Sequence, residues 1–267
     1  MTEKLMEIRD VTQRFRSAER EVVAVSRVSV QVDAGSVTCL VGESGSGKTT
    51  LARIAAGLDK PTAGSIHYRG QDISRLRGPD FMRFRREVQY VHQDPYASLN
   101  PTRTVLSTLL SALGARRNRT RQRATELLER VELTPADLFL ERYPHQLSGG
   151  QRQRVALARA LATEPALIIA DETTSMLDAS IRGSMINLLS ELRDDLGVGF
   201  LFITHDFTLA RHFAWRGRTA VLYLGELVEY GPTPEVMDAP KHAYTKALID
   251  ALPMIRFDDA DVPDGAP

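Results

Sequence analysis

Val37-Thr38-Cys39-Leu40-Val41-Gly42-Glu43-Ser44-Gly45-Ser46-Gly47-Lys48-Thr49-Thr50 is an apolar run, a glycine-rich turn and a basic-hydroxyl step in immediate succession. The first five residues are short, apolar and rich in β-branching, as a buried strand requires, and Thr50 to Ala56 reads as a helix stopped by Gly57. The intervening residues fit G-x-x-x-x-G-K-[ST], a pattern that has its chemical meaning only between a strand and a helix. Gly42, Gly45 and Gly47 let the backbone turn tightly and aim successive N–H groups at phosphate oxygens, and the helix N-terminus adds partial positive charge. In that geometry Lys48 reaches the β- and γ-phosphates of a nucleoside triphosphate and Thr49 holds Mg²⁺. The expected contact set is Gly42, Glu43, Ser44, Gly45, Ser46, Gly47, Lys48, Thr49 and Thr50.

Composition frames this reading. The chain has 267 residues, 43% of them hydrophobic, enough for a sizeable core. Lys plus Arg and Asp plus Glu are balanced at 34 each, so no global field favours nucleic acid or an anionic membrane. Apolar runs such as Ala166 to Ala170 and Phe200 to Ile203 fall far short of the roughly 20 residues a spanning helix needs. Charges in Met1 to Glu7 occupy the place of a signal peptide's apolar centre, so a cytosolic location is expected. The single Cys39 lies in the candidate strand, which excludes an internal disulfide or a cysteine-bound metal cluster within this sequence and assigns the thiol to packing.

Outward from the loop, Lys4 to Val11 and Glu21 to Val32 alternate apolar and polar residues around a charged turn at Ser17 to Arg20, the pattern of antiparallel strands with one solvated face. Val88 to Val91, Leu167 to Ala170 and Gly199 to Ile203 are nearly all apolar, like Val37 to Val41, as strands covered on both faces by helices are. Each ends in polar residues: His92-Gln93-Asp94, Asp171-Glu172 and Thr204-His205-Asp206. That is the sheet edge where doubly wound folds bind ligands. Between Pro79 and Leu147 the character turns helical and arginine-rich, and Ala124, Leu127, Leu128 and Val131 form one apolar face after a Thr120 cap. The arginine clusters at Arg75 to Arg86 and Arg116 to Arg123 lack interleaved aromatic residues, so a solvated or partner-docking face is expected rather than a nucleic-acid surface. The acidic, turn-rich stretch from Asp258 to Pro267 reads as a flexible tail.

Two further motifs carry chemistry. Leu167 to Ala170 ends in two adjacent carboxylates: consecutive strand residues point to opposite sides, so Asp171 can order a metal ion while Glu172 faces an attacking water. Leu147-Ser148-Gly149-Gly150-Gln151 opens a helical run over Arg152 to Ala162 with a hydroxyl and two glycines, a second phosphate-facing helix start.

Taken together, the phosphate loop, the strand ending Asp-Glu, this second helix start and strands ending in Gln93 and His205 resemble, in that combination, the ATP-binding cassette family of ATPases, over about Leu5 to Pro253. The resemblance implies an α/β fold: a P-loop NTPase (RecA-like) core with a mixed sheet, an antiparallel β subdomain and an inserted α-helical subdomain. Residues 1–253 would form one ATP-binding domain, with its core at about 1–78 and 160–240, its helical subdomain at about 79–159, an importer-type segment at 241–253 and a flexible tail at 254–267. It further implies a head-to-tail cassette dimer enclosing two ATP molecules, in which Ser148, Gly149, Gly150 and Gln151 serve the partner's ATP and Asp178, in Ser175-Met176-Leu177-Asp178, lies in a dimer-contacting loop. On the same resemblance Glu172 is the general base, His205 braces the γ-phosphate, Gln93 contacts Mg²⁺ and the attacking water, and Phe15 stacks on adenine.

Departures from the family pattern are Thr173, where proline is usual, Met176, where a small residue is common, and His92, where relatives often carry an apolar aromatic. Gln93 to Pro101 and Lys241 to Pro253 are similar to ATPases of oligopeptide, dipeptide and nickel importers, with Ala243 in place of a usual proline. The implied partners are a sister ATPase, with a heterodimer expected and a homodimer open, two permeases docked on the helical insert, and indirectly an external solute-binding protein, at the cytoplasmic face of the membrane. An accessory ATPase of a cytosolic enzyme complex of the phosphonate-breakdown type, and a nucleic-acid-linked ATPase, are the alternative readings.

Overall fold

The computed structural model describes residues 3–16, 21–92, 99–114, 120–174 and 178–251. Two sheets organise the chain. The larger has six strands in the order β10-β9-β3-β8-β7-β6, built from β3 (Val37–Val41), β6 (Val88–Val91), β7 (Leu167–Asp171), β8 (Gly199–Thr204), β9 (Arg218–Tyr223) and β10 (Glu226–Pro232). All neighbouring pairs are parallel except β9 and β10, so the sheet is mixed. The smaller is antiparallel, in the order β2-β1-β4-β5, from β1 (Lys4–Arg16), β2 (Glu21–Asp33), β4 (Ala63–Tyr68) and β5 (Gln71–Asp72).

The apolar runs are buried on both faces, and the period-two alternation of a strand sorts their side chains between two cores. Cys39, Ile168, Ala170, Phe200 and Phe202 enter one cluster, with the helical part of the chain. Leu40, Leu167, Ile169, Leu201 and Ile203 enter the other, with the antiparallel sheet and with Leu51 and Ile54 of α1 (Lys48–Ala55). Burial pushes the Cys39 thiol far above its usual range, so it packs as an inert apolar group. α1 starts two residues before the expected Thr50, because Gly47 in the left-handed region is its N-cap and Lys48 and Thr49 already belong to the first turn. Gly57, at φ +65°, follows the C-terminus as expected for a helix stop.

The stretch expected to open the helical insert behaves differently. α2 (Gly78–Glu87) sends Phe84 into the second core, and β6 pairs with β7, so residues 78–91 belong to the sheet layers and the helical part begins after Val91. It comprises α3 (Val105–Leu113), α4 (Arg121–Arg130) and α5 (Asp137–Leu140), joined back to the sheet by α6 (Gly149–Leu161). Thr120 caps α4 by accepting from the Arg123 N–H at 3.1 Å, and Ala124, Leu127, Leu128 and Val131 are buried. α7 (Ala179–Leu196), α8 (Phe207–Ala214), α9 (Thr233–Asp238) and α10 (Ala243–Asp250) are the remaining α-helices among the described residues. Among the described residues no helix is long and apolar enough to cross a membrane. The acidic segment 254–267 lies outside the described residues.

Candidate nucleotide site

The C-terminal edge of the parallel strands carries the chemistry. β3 delivers the chain to Gly42, whose φ of +153° and position leave no room for a side chain, since a Cβ there would sit 2.1 Å from the Leu222 carbonyl oxygen. Gly47, at φ +99°, is confined in the same way by the Ala24 carbonyl of β2, at 2.2 Å. The loop is thus a backbone cradle pressed between β9 and β2, of the kind that presents N–H groups to an anion.

Lys48 is nearly buried, and its ammonium donates to the carbonyls of Gly42 at 2.8 Å and Glu43 at 2.7 Å. Burial lowers its pKa, against the upward pull of the Glu172, Asp171 and Glu43 carboxylates. The buried Ser46 hydroxyl has no hydrogen-bond partner among the described residues and lies close to the Gly42 position. These are the features of a cradle shaped for phosphate oxygens.

Asp171 and Glu172 divide as strand geometry requires. Asp171, at the end of β7, accepts from the Thr49 hydroxyl at 3.1 Å and from the Tyr90 hydroxyl on β6. Burial raises its pKa, against the two hydrogen bonds that favour the carboxylate. Burial and the adjacent Asp171 charge push the Tyr90 phenol up as well, so it stays a donor. Glu172 takes a left-handed φ of +45° while its N–H donates to the Ile203 carbonyl at 3.0 Å. This turns its carboxylate to within 3.9 Å of the Lys48 ammonium and 3.7 Å of His205 Nδ1 at the end of β8. A non-glycine residue in that region is uncommon, and here it stands at the carboxylate nearest the lysine.

The structure therefore brings together Lys48, Thr49, Asp171, Glu172 and His205. Thr49 Oγ1 and Asp171 Oδ1 are hard oxygen donors of the kind that, with phosphate oxygens, suit a small divalent cation. Ser148 caps α6 in a reciprocal box: its hydroxyl accepts from the Gln151 N–H at 3.3 Å and its own N–H donates to Gln151 Oε1 at 3.0 Å. Ser148 and Gly149 are exposed while Gly150 is buried. Asp178 is exposed at the N-cap of α7 with no side-chain capping bond. Phe15 is 51% exposed at the end of β1, opposite Val22, which is 56% exposed. It belongs to an open apolar strip beside the β2 residue that confines Gly47. Gln93, the rest of 93–98, and Ser175 to Leu177 lie outside the described residues.

Sequence reasoning missed Tyr90. Its signal was a polar-tipped aromatic one residue short of a strand end on the ligand-binding edge, but its partner is 81 positions away. His92 packs edge-on against the same ring, with centroids 4.6 Å apart. Among the described arginines of the clusters, Arg121 pairs with Glu141 at 2.6 Å, Arg123 with Glu126 at 2.8 Å and Arg83 with Glu87 at 3.7 Å.

Residues 25–175, spanning the cradle, the capped helix α6 and the paired carboxylates, match the model of the ABC transporter family. The chain belongs to that family. A second model, the oligopeptide/dipeptide transporter C-terminal region, matches residues 228–265. This ABC protein is 42% identical over 263 residues to the glutathione import ATP-binding protein GsiA of Escherichia coli strain K12; the match takes in 94% of the chain but only 42% of that relative. It is 41% identical over 258 residues to a putative peptide import ATP-binding protein of Brucella abortus strain 2308, covering 95% of the chain and 80% of the relative. Its fold is that of the ATP-binding cassette MJ0796, solved as a dimer in a post-hydrolysis state bound to ADP and Pi, with a TM-score of 0.76, 32% identity, and coverage of 86% of this chain and 99% of that one. The P-loop core, mixed sheet, antiparallel sheet and helical part are those of an ABC ATPase cassette.

Proposed function

We propose that this chain is the ATP-hydrolysing subunit of an ABC importer for peptides or a similar small solute. The observation that carries the reading is the meeting of Lys48, Thr49, Asp171 and Glu172 at one strand edge, in a chain whose C-terminal part matches an oligopeptide/dipeptide transporter region. Lys48 gives up its carbonyl partners to hold the β- and γ-phosphates, and the loop N–H groups neutralise the remaining charge. Thr49, Asp171 and Gln93 hold Mg²⁺, which when bound supplies charge neutralisation to the phosphates. Glu172 takes the proton of the attacking water as general base, and His205 braces the γ-phosphate. Phe15 offers its open ring to adenine.

A second cassette completes the site: Ser148, Gly149, Gly150 and Gln151 serve the partner's ATP, and Asp178 stands at the dimer contact. The relatives named as import proteins favour the importer reading over an accessory enzyme subunit or a nucleic-acid ATPase. In it the partners are a sister ATPase, in a heterodimer, and two permeases at the cytoplasmic face of the membrane, served indirectly by an external solute-binding protein.

Replacing Glu172 by Gln keeps shape and removes basicity. In the purified complex the variant is expected to retain ATP binding while phosphate release falls by roughly 10²- to 10⁴-fold. Release at the wild-type rate, with an intact partner subunit present, would show that the base is another group.

A further inference from the structure

The last helix described in the chain touches the phosphate loop. The Tyr244 hydroxyl on α10 accepts a hydrogen bond from the backbone N–H of Glu43 at 3.1 Å, from 201 positions away. Its ring lies on Tyr223, with centroids 4.1 Å apart, and Tyr223 ends β9 immediately after Leu222, whose carbonyl confines Gly42. The approach of α10 is fixed by β10: the Glu229 carboxylate accepts from the backbone N–H groups of Lys241 at 2.8 Å and His242 at 3.2 Å. His242 Nδ1 then caps the helix by accepting from the Tyr244 N–H at 3.2 Å. Tyr244, Leu248 and Ile249 pack on the first core. Glu229, Lys241, His242, Tyr244, Leu248 and Ile249 all lie within the segment that matches the oligopeptide/dipeptide transporter C-terminal region.

The backbone of Glu43 is consequently held at both ends, its N–H by Tyr244 and its carbonyl by the Lys48 ammonium at 2.7 Å. A lysine that turns toward a phosphate releases its carbonyl, whereas the tyrosine bond to the Glu43 N–H does not depend on the lysine. We propose that Tyr244 is a positioning residue for the phosphate loop, so that α10 and nucleotide occupancy are coupled. This rests on the reading of the loop as a nucleotide site. Linkage makes the coupling reciprocal: whatever holds α10 strengthens nucleotide binding, and nucleotide in the loop holds α10. Because Glu43 lies at the start of the loop, the effect falls on ADP and ATP alike.

The test is Tyr244→Phe in the full chain, which keeps the ring on Tyr223 and removes only the acceptor, with Lys48→Ala as a control for the site. The expected result is a roughly two- to tenfold weaker affinity for both ADP and ATP, the range for one net hydrogen bond. Unfolding stays close to wild type, and the change appears in KM for ATP rather than in kcat. Hydrogen exchange of the 243–250 amides should slow when nucleotide binds the wild type and respond less in the variant. Wild-type affinity and exchange in Tyr244→Phe, alongside lost binding in Lys48→Ala, overturn the coupling and leave the nucleotide site standing. A large drop in melting temperature with affinity unchanged assigns Tyr244 to packing and overturns it too. A wild-type chain that binds neither nucleotide removes the site itself, and the coupling with it.

Discussion

Replacing Gly47 by Ala adds one carbon atom to the most confined part of the loop. The new Cβ would lie 2.2 Å from the Ala24 carbonyl oxygen, against an ordinary contact of 3.4 Å or more, and 3.2 Å from Val25 Cγ2. Neither side can retreat freely. β2 is paired with β1 on both sides of Ala24, through Val23 with Arg14 and Val25 with Gln13, and the Ser26 N–H donates to the Gly225 carbonyl at 2.8 Å. On the other side α1 is anchored by buried Leu51, Ala52, Ile54 and Ala55. A left-handed alanine costs about 1–2 kcal/mol and overpacking against fixed neighbours about 1–3 kcal/mol, so a loss of roughly 2–5 kcal/mol is expected. For a chain of this size that corresponds to a fall in Tm of about 4–20 °C. Gly45 provides the control: its φ is +82° but nothing lies within 4 Å of its would-be Cβ, so Gly45→Ala incurs only the conformational part. The assay is thermal unfolding of both variants with and without saturating ATP, which adds about 2.7 kcal/mol to a competent site at 100 times Kd. Gly47→Ala should melt well below Gly45→Ala and lose most of the ATP-induced rise. Equal melting temperatures and equal ATP shifts would refute the steric argument.

Two other perturbations follow from buried groups in the site. The lowered pKa of Lys48 means that its charge is lost on alkaline titration before that of an ordinary lysine at 10.5. ATP affinity should therefore fall with rising pH below that value, and Lys48→Arg should abolish the alkaline fall whatever its affinity at neutral pH; an unchanged alkaline limb in the arginine variant would exclude Lys48 as its source. The stability sign is opposite: with the folded pKa below the unfolded one, stability without nucleotide rises as pH passes from the lowered value through 10.5. Thr173, beside the candidate base, buries a hydroxyl with no partner among the described residues, in a small cavity lined by Val91, Leu157, Ile168, Ala170, Met185, Leu189 and Gln153. Thr173→Val should stabilise the chain by about 1 kcal/mol, a rise in Tm of roughly 2–4 °C by calorimetry, and a fall would show that the hydroxyl is satisfied.

The features that arise from local physics were legible along the chain. The strand, turn and helix around Gly42 to Lys48, the Thr120 cap of α4, the Ser148 and Gln151 box at α6 and the paired acids ending β7 all need only near neighbours in the chain, and their residue types state their geometry. Period-two burial likewise made the parallel strands legible, since both of their faces had to be apolar. Which strand ends meet was set by long-range packing instead. The order β10-β9-β3-β8-β7-β6 places Tyr90 on Asp171 and Glu172 between Lys48 and His205, pairings with no local signature. It also assigned 78–91 to the sheet layers, because the pairing of β6 with β7 and the burial of Phe84 outweigh the arginine-rich composition around them. The reach of Tyr244 back to Glu43 is the extreme case. A hydrogen bond between residues 201 positions apart depends on the packing of every element between them, and no residue pattern along the chain records it.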